Sequence, residues 1–401
     1  MVNCAPEKEG DPVRKMDVRS MRFALTHLSC ACALGRTNGE VLAHARAGSS
    51  AGMVPLEGDI PGRRVLFGMV PGDLPPVAEP EFDMRTNRLL LHAVRNMRAE
   101  LDGFLARHAP DRVAVVLGAS NTGIDEAQRH VDAWLETGSK PEGLHFSQIE
   151  LGTPSDYLKR LLGVKGPAYT VSTACSSSTK AFASARRLVE RGVVDAALVG
   201  GVDGRCRFAL NGFHALGALS PGLCRPLAPD RDGINLGEGV ALFTLEKAAA
   251  VEAPSPQTAG GGSRKTVYLA GCGESSDAHH ATAPDPEGRG AETAMRAALA
   301  DAGLAPSDIA YLNLHGTGTQ ANDAMELSAV RRVFPDSQSP IPLIESTKNL
   351  TGHCLGAAGA VEAAICWLYL ASGDVKGAAM SNSFAFGGSN ASVVLATEDG
   401  R

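Results

Sequence analysis

Cys175 stands between a β-branched run (Tyr169, Thr170, Val171) and a stretch that opens with three serines and continues at helical spacing. Ala181, Ala185, Leu188 and Val189 share one face of that stretch, with Arg186, Arg187, Glu190 and Arg191 mostly on others. The pattern predicts a strand that delivers a thiol to a helix N-terminus. Unpaired N–H groups and the positive dipole end favour thiolate there, which makes Cys175 a candidate covalent nucleophile. A lone cysteine in that place is more often a small side chain packing a helix start. Three further segments bear on the choice. NLHGTGTQANDAMEL puts His315 at the end of a predicted strand. STKNLTGHCLGAAGAVEA holds Lys348, His353 and Glu362, and SNSFAFGGSNAS holds Phe384, Phe386, Gly387 and Gly388. Each has a plain structural reading by itself: a satisfied core histidine, tight helix packing at GAAG, a turn at FGG. Four such segments in this order point to a common site.

The elements that must position them read as two rounds of strand and helix. The first round has a strand and turn over 21–34, a short helix over 38–47, and a Gly- and Pro-rich surface excursion over 48–80. A long helix over 84–108 follows, capped by Asp83, with Leu89, Leu90, Val94, Met97, Leu101 and Leu105 as its buried stripe. Buried strands are predicted over 113–118 and 193–199. Residues 252–265, EAPSPQTAGGGSRK, rich in Pro, Gly and Ser and without periodicity, form a linker. The second round has strands over 267–271, 309–314 and 393–395, helices over 290–302, 323–333 and 355–370, and a glycine-rich crossing over 380–390. This alternation argues an α/β fold with mostly parallel sheets. The implied division is an extension over 1–20, a nucleophile-bearing half over 21–251, the linker, and a histidine-bearing half over 266–401.

Composition narrows the function. A chain of 401 residues with 44% hydrophobic content can bury a large core. A formal net charge of −6 argues against a general nucleic-acid binder. No apolar run reaches the roughly 20 residues of a membrane span, and the first 20 residues lack the apolar core of a secretory signal. Met16 or Met21 is an alternative start. The nine cysteines form no C-x-x-C pair, which disfavours zinc and a disulfide framework and fits reduced thiols in the cytoplasm.

TACSSS, HGTGT, GHCLGAAG and FGG in this order resemble the β-ketoacyl-[acyl-carrier-protein] synthases, the condensing enzymes of fatty acid and polyketide synthesis. The resemblance runs from about residue 21 to the C-terminus. It implies the thiolase-like fold, two pseudo-symmetric α/β halves in five αβαβα layers, in a dimer. The Cys-His-His set matches the elongating enzymes, since initiating enzymes carry Asn where His353 stands. Thiolases lack the HGTGT and GHCLGAAG pairing, and a chain-length-factor subunit would lack the cysteine. GASNTGIDEAQRHV, QIELGTPSDYL, STACSSS, GESSDAHH and SNSFAFGG are similar to the ketosynthases of aryl-polyene clusters.

The resemblance assigns roles. Cys175 carries the acyl chain, while His315 and His353 donate hydrogen bonds to a malonyl thioester oxygen. The backbone N–H groups of Cys175 and Phe386 hold the oxyanion, and Lys348 and Glu362 form a buried supporting pair. Thr317 and Thr319 meet the pantetheine arm, and Phe384 and Phe386 form a gate. Arg85 and Arg88, three apart on one helix face, fall where the family docks its carrier protein. No metal or other cofactor is implied. The partners implied are an acyl carrier protein and, for the dimer, a second copy or a chain-length-factor-like paralogue. One departure stands out: only ASGDVKGAAM separates the helix ending near Leu370 from SNSFAFGG, where the family has a longer segment with an extra edge strand. Two rival readings remain, a non-catalytic partner subunit and a thiolase-like acyltransferase using coenzyme A.

Overall fold

The computed structural model describes residues 23–250, 265–335 and 343–398. The predicted extension and nearly all of the predicted linker lie outside them. The first half runs β1 (Phe23–Ala31), α1 (Asn38–Arg46), β2 (Met53–Ile60), β3 (Arg63–Gly68), α2 (Arg85–Asn96), α3 (Arg98–Ala106) and β4 (Val113–Gly118). It continues with α4 (Ile124–Thr137), α5 (Thr153–Leu162), β5 (Ala168–Val171), α6 (Ser177–Glu190), β6 (Ala196–Asp203), α7 (Arg207–Ala215), β7 (Leu236–Gly237) and β8 (Gly239–Lys247). The second half has β9 (Val267–Ser276), α8 (Arg289–Ala302), β10 (Ile309–Asn313), α9 (Gln320–Val333) and β11 (Leu343–Glu345). Then come α10 (Lys348–Thr351), α11 (Ala358–Ser372), β12 (Ala378–Phe384) and β13 (Ser389–Ala396).

Strand order exposes an internal two-fold. The first half pairs as β5-β4-β6-β8-β1 and the second as β11-β10-β12-β13-β9. In each, the first two pairings are parallel and the next two antiparallel. The half-sheets join where Phe23–Leu25 runs antiparallel to Val267–Leu269. Helices α6 and α11 pack together between the half-sheets, each touching strands of both. Helix α2 covers the outside of the first half-sheet and α8, backed by α9, the outside of the second. The layers are therefore α, β, α, β, α.

The central position explains the residues found there. Every residue of β4 is buried, as a strand covered on both faces requires. All but the last residue of α11 are buried. The run Leu355–Ser372 has a mean hydropathy of 1.5, near that of a short membrane span, but is 94% buried inside the fold. An all-round apolar helix of this length is what a five-layer core requires at its centre. Contact between α6 and α11 depends on the GAAG run: a Cβ at Gly359 would stand 1.9 Å from Thr179 Oγ1.

Several expectations need correction. The helix predicted over 84–108 breaks at Met97 (φ −120°, ψ 26°) into α2 and α3, and Leu105 is only partly buried. Asp83 caps nothing. Met84 holds the N-cap without a side-chain bond, and Asp83 accepts from Val77 N–H and the Arg88 guanidinium. The strand expected over 193–199 begins only at Ala196, with Val193 49% exposed in the preceding turn. The excursion over 48–80 contains the β2–β3 hairpin, which buries Ile60, Val65 and Phe67 against Leu210 and Leu355. The crossing over 380–390 begins as β12, a central strand. Despite the short link from α11, β12 pairs fully with β13, so the second half-sheet matches the first strand for strand.

Candidate active site

Cys175 lies just before Ser176, the N-cap of α6, on a turn entered through Ala174 in the left-handed region (φ 53°). A β-carbon makes that conformation costly, by about 1–2 kcal/mol, so the surrounding structure must enforce it. The turn puts Sγ against two backbone N–H groups, those of Phe386 and of Cys175 itself. These are the amides expected to hold an oxyanion. The expected thiolate is not the resting state. Burial pushes the thiol up to about 11, against the opposing pull of the Lys348 charge and those amides. Desolvation outweighs the helix end because the thiol is only 6% exposed.

Both histidines come from the second half. His315 follows β10, where Glu326 of α9 accepts its backbone N–H at 2.8 Å and that of Gly316 at 2.7 Å. His353 donates its backbone N–H to Asn235 O at 2.8 Å and accepts Gly237 N–H at 2.9 Å, which splices it beside β7. Its Nδ1 accepts the Leu355 N–H at 3.2 Å. A nitrogen that accepts a backbone N–H carries no proton, so the neutral ring bears its hydrogen on Nε2. That Nε2 and the Nδ1 of His315 are buried with no partner among the described residues. Burial, then the Lys348 charge, holds both imidazoles well below the usual histidine range, so they are neutral at pH 7.

The three groups converge. Donor atoms of Cys175, His315 and His353 all lie within 4.8 Å of one another, and the two rings meet edge-on at 5.3 Å between centroids. The set could also hold a soft divalent metal, though the Lys348 ammonium opposes a dication there. Lys348 pairs with Glu362, both fully buried. Burial raises the Glu362 pKa and the Lys348 contact draws it back. The arrangement supplies a nucleophile, two neutral hydrogen-bond donors and a pair of amides, the parts of acyl transfer through a thioester.

A cavity of about 230 Å³ leads from Cys175 past Thr317 and Thr319, whose hydroxyls are 2.9 Å apart. Phe384 lies 6.2 Å from the His315 ring, while Phe386, 38% exposed, stacks on Phe213 of α7 at 5.5 Å. Gly388 permits a close approach of backbone, since a Cβ there would lie 2.8 Å from Asp277 Cβ. At Gly387 there is open space, and glycine serves the positive φ of 79° instead. Three contributors escaped sequence reasoning. Phe213 sits in NGFHALGALSP, which has no readable pattern. Glu326 and Asp277 lie inside quoted motifs, but nothing local marks them as hydrogen-bond partners of the His315 and Phe386 loops. Asp277 accepts from Asn390 at 2.7 Å and donates its N–H to Gly388 at 2.8 Å.

Comparison with known proteins identifies the family. Residues 82–250 match the β-ketoacyl synthase N-terminal domain and residues 267–379 its C-terminal domain. Nodulation protein E of Rhizobium meliloti is 36% identical over 307 residues, 70% of this chain and 74% of the relative. The chain belongs to the β-ketoacyl synthase family. A 3-oxoacyl-[acyl-carrier-protein] synthase 2 of Staphylococcus aureus is 31% identical over 330 residues, 74% of this chain and 77% of the relative. Among solved structures, the ketosynthase ApeO in complex with its chain length factor ApeC, from Xenorhabdus doucetiae, superposes with a TM-score of 0.84. The identity is 39%, covering 97% of this chain and all of that one. The protein is a condensing enzyme of thiolase-like fold.

The two arginines of this ketosynthase are less free than their spacing suggests. Arg85 directs its guanidinium into Glu238, which is fully buried at the β7–β8 bend and needs a counter-charge. Arg88 grips both oxygens of Asp83 at 2.6 Å. Both line one cleft with Arg129, Arg205, Arg207 and four acidic residues, so that surface is mixed in charge rather than basic.

Proposed function

We propose that this chain is a 3-oxoacyl-[acyl-carrier-protein] synthase acting by decarboxylative Claisen condensation. Cys175 gives up its proton and the thiolate attacks an acyl thioester; phosphopantetheine leaves as a thiolate that takes up a proton, and an acyl-Cys175 thioester remains. Malonyl thioester then enters beside Thr317 and Thr319. His315 and His353 donate to its thioester oxygen, so the carboxylate departs as carbon dioxide and leaves a stabilised enolate. The enolate carbon attacks the acyl-Cys175 carbonyl, whose oxyanion rests on the amides of Cys175 and Phe386. Collapse expels the Cys175 thiolate and gives the 3-oxoacyl thioester. The Lys348 charge helps burial keep both histidines neutral, and Glu362 balances that charge; neither residue reacts.

The observation that carries this reading is the His353 Nδ1 acceptor contact, because it leaves a neutral ring with its proton on the unpartnered Nε2. No cofactor beyond the carrier-bound pantetheine is required, and the site suits a cytoplasmic enzyme working with a carrier protein. A paralogue of chain-length-factor type is the favoured dimer partner, since the ApeO ketosynthase was solved with one. The present chain would be the catalytic member, because it keeps Cys175, and an aryl-polyene product fits its local motifs. The deciding experiment supplies malonyl- and acyl-carrier protein and weighs the product. A 3-oxoacyl chain two carbons longer supports the reading. Its absence with carrier proteins but appearance with coenzyme A thioesters supports the thiolase-like alternative, and no product with either supports a non-catalytic subunit.

A further inference from the structure

We infer that Asp203 is a positioning residue for His353, clamping the turn that supplies the imidazole with its Nδ1 hydrogen bond. Asp203 ends β6 in the first half and is fully buried. Its Oδ1 accepts the backbone N–H groups of Ser120 at 3.0 Å and Asn121 at 2.6 Å. Its Oδ2 accepts the Ser120 hydroxyl at 2.9 Å and crosses to the second half to accept Ala357 N–H at 3.2 Å. The Ser120 hydroxyl oxygen in turn accepts Gly356 N–H, also at 3.2 Å. One carboxylate and one hydroxyl therefore fasten two successive amides of the turn before α11 to the loop after β4.

That turn needs fastening. Its first residue, Leu355, is held at φ 50°, a conformation that a residue with a Cβ keeps only when its surroundings impose it. The Leu355 N–H is the group that donates to His353 Nδ1. If Leu355 relaxed to negative φ, that N–H would swing away and Nδ1 could take up the proton. The ring would then present a bare Nε2, an acceptor where the thioester oxygen needs a donor. Gly356 belongs to the same device: a Cβ there would lie 2.8 Å from Asp203 Oδ2 and 2.6 Å from Ser120 N, so only glycine lets the turn reach the clamp. The first half thus controls the proton position on a histidine carried by the second.

The inference rests on the reading of His353 as a decarboxylation donor, and two readouts keep the two ideas separable. Asp203→Asn retains the shape but turns its amide N–H₂ toward backbone N–H groups that can only donate, while Ser120→Ala removes the hydroxyl alone. In the full-length enzyme with ¹⁵N-labelled histidine, wild-type His353 should show a bare Nδ1 and a protonated Nε2. Asp203→Asn should mix the tautomers and lower kcat for malonyl decarboxylation by about 10- to 100-fold, the usual effect of losing an orienting partner. Its KM and its rate of Cys175 acylation should stay within about threefold of wild type. Ser120→Ala should move the same readouts in the same direction by less, and it decides the matter if Asp203→Asn does not fold. An unchanged His353 signal in the variants, or both half-reactions falling together, overturns the clamp. A shifted tautomer with normal decarboxylation keeps the clamp and removes His353 from the chemistry.

Discussion

The junction before α6 and the junction before α11 occupy equivalent places in the two halves, yet they hold opposite chemistry. In the first half a short turn sets Cys175 directly before the helix cap, with its thiol among backbone amides. In the second half a 3-10 turn, Leu355–Ala357, intervenes between His353 and α11, so the imidazole meets the amide of Leu355 instead of a helix end. One junction presents a group that must lose a proton to act. The other presents a group that must keep one on a chosen nitrogen. The same strand order can serve both because the segment that joins the sheet to the central helix differs between the halves.

Four measurements can break or sharpen that comparison. Cys175→Ala should abolish acyl-enzyme formation and condensation, leaving malonyl decarboxylation measurable; condensation surviving in this variant would dismiss the first junction as the nucleophile's seat. His315→Ala and His353→Ala should each slow decarboxylation by about 100- to 1000-fold, as loss of an oxyanion donor does. Acylation of Cys175, followed by intact mass, should change only a few-fold.

The junctions should also separate by pH. With the thiol near 11, the thiolate fraction between pH 7 and 9 grows roughly tenfold per unit, and Cys175 acylation should rise with it. Both imidazoles lie well below the usual range and are already neutral there, so decarboxylation should change by no more than about twofold. Parallel profiles for the two half-reactions would mean that one group governs both. The smallest effect separates structure from chemistry. Arg85→Met strands the buried Glu238 charge and should cost about 3 kcal/mol in denaturant unfolding, whereas Arg88→Met opens a half-exposed pair worth less than about 1 kcal/mol. Neither should alter decarboxylation at saturating malonyl thioester.

The parts that were legible in the sequence are local ones. Alternating strand and helix, the buried run of β4, the amphipathic α6 and the order of the four motifs each follow from periodicity or from residues close together in the chain. Misreadings arise where another group, near or far in the chain, claims the residue. Asp83 looks like a cap, but Arg88 and the Val77 amide claim it. Arg85 reads from its spacing as projecting from one helix face with Arg88, but Glu238, 153 positions away, holds its guanidinium. Residues 48–80 look like surface until the β2–β3 hairpin buries Phe67 against Leu355.

By itself the sequence determined which groups could react and which elements carry them, because residue type, turn chemistry and hydrophobic period act over a few residues. Tertiary structure decided the state of those groups. The protonated thiol of Cys175, the neutral rings of His315 and His353, and the proton on His353 Nε2 all depend on desolvation and on contacts between the halves. Those are properties of packing: water is excluded only once five layers close, and Asp203 reaches Ala357 only when the first half meets the second.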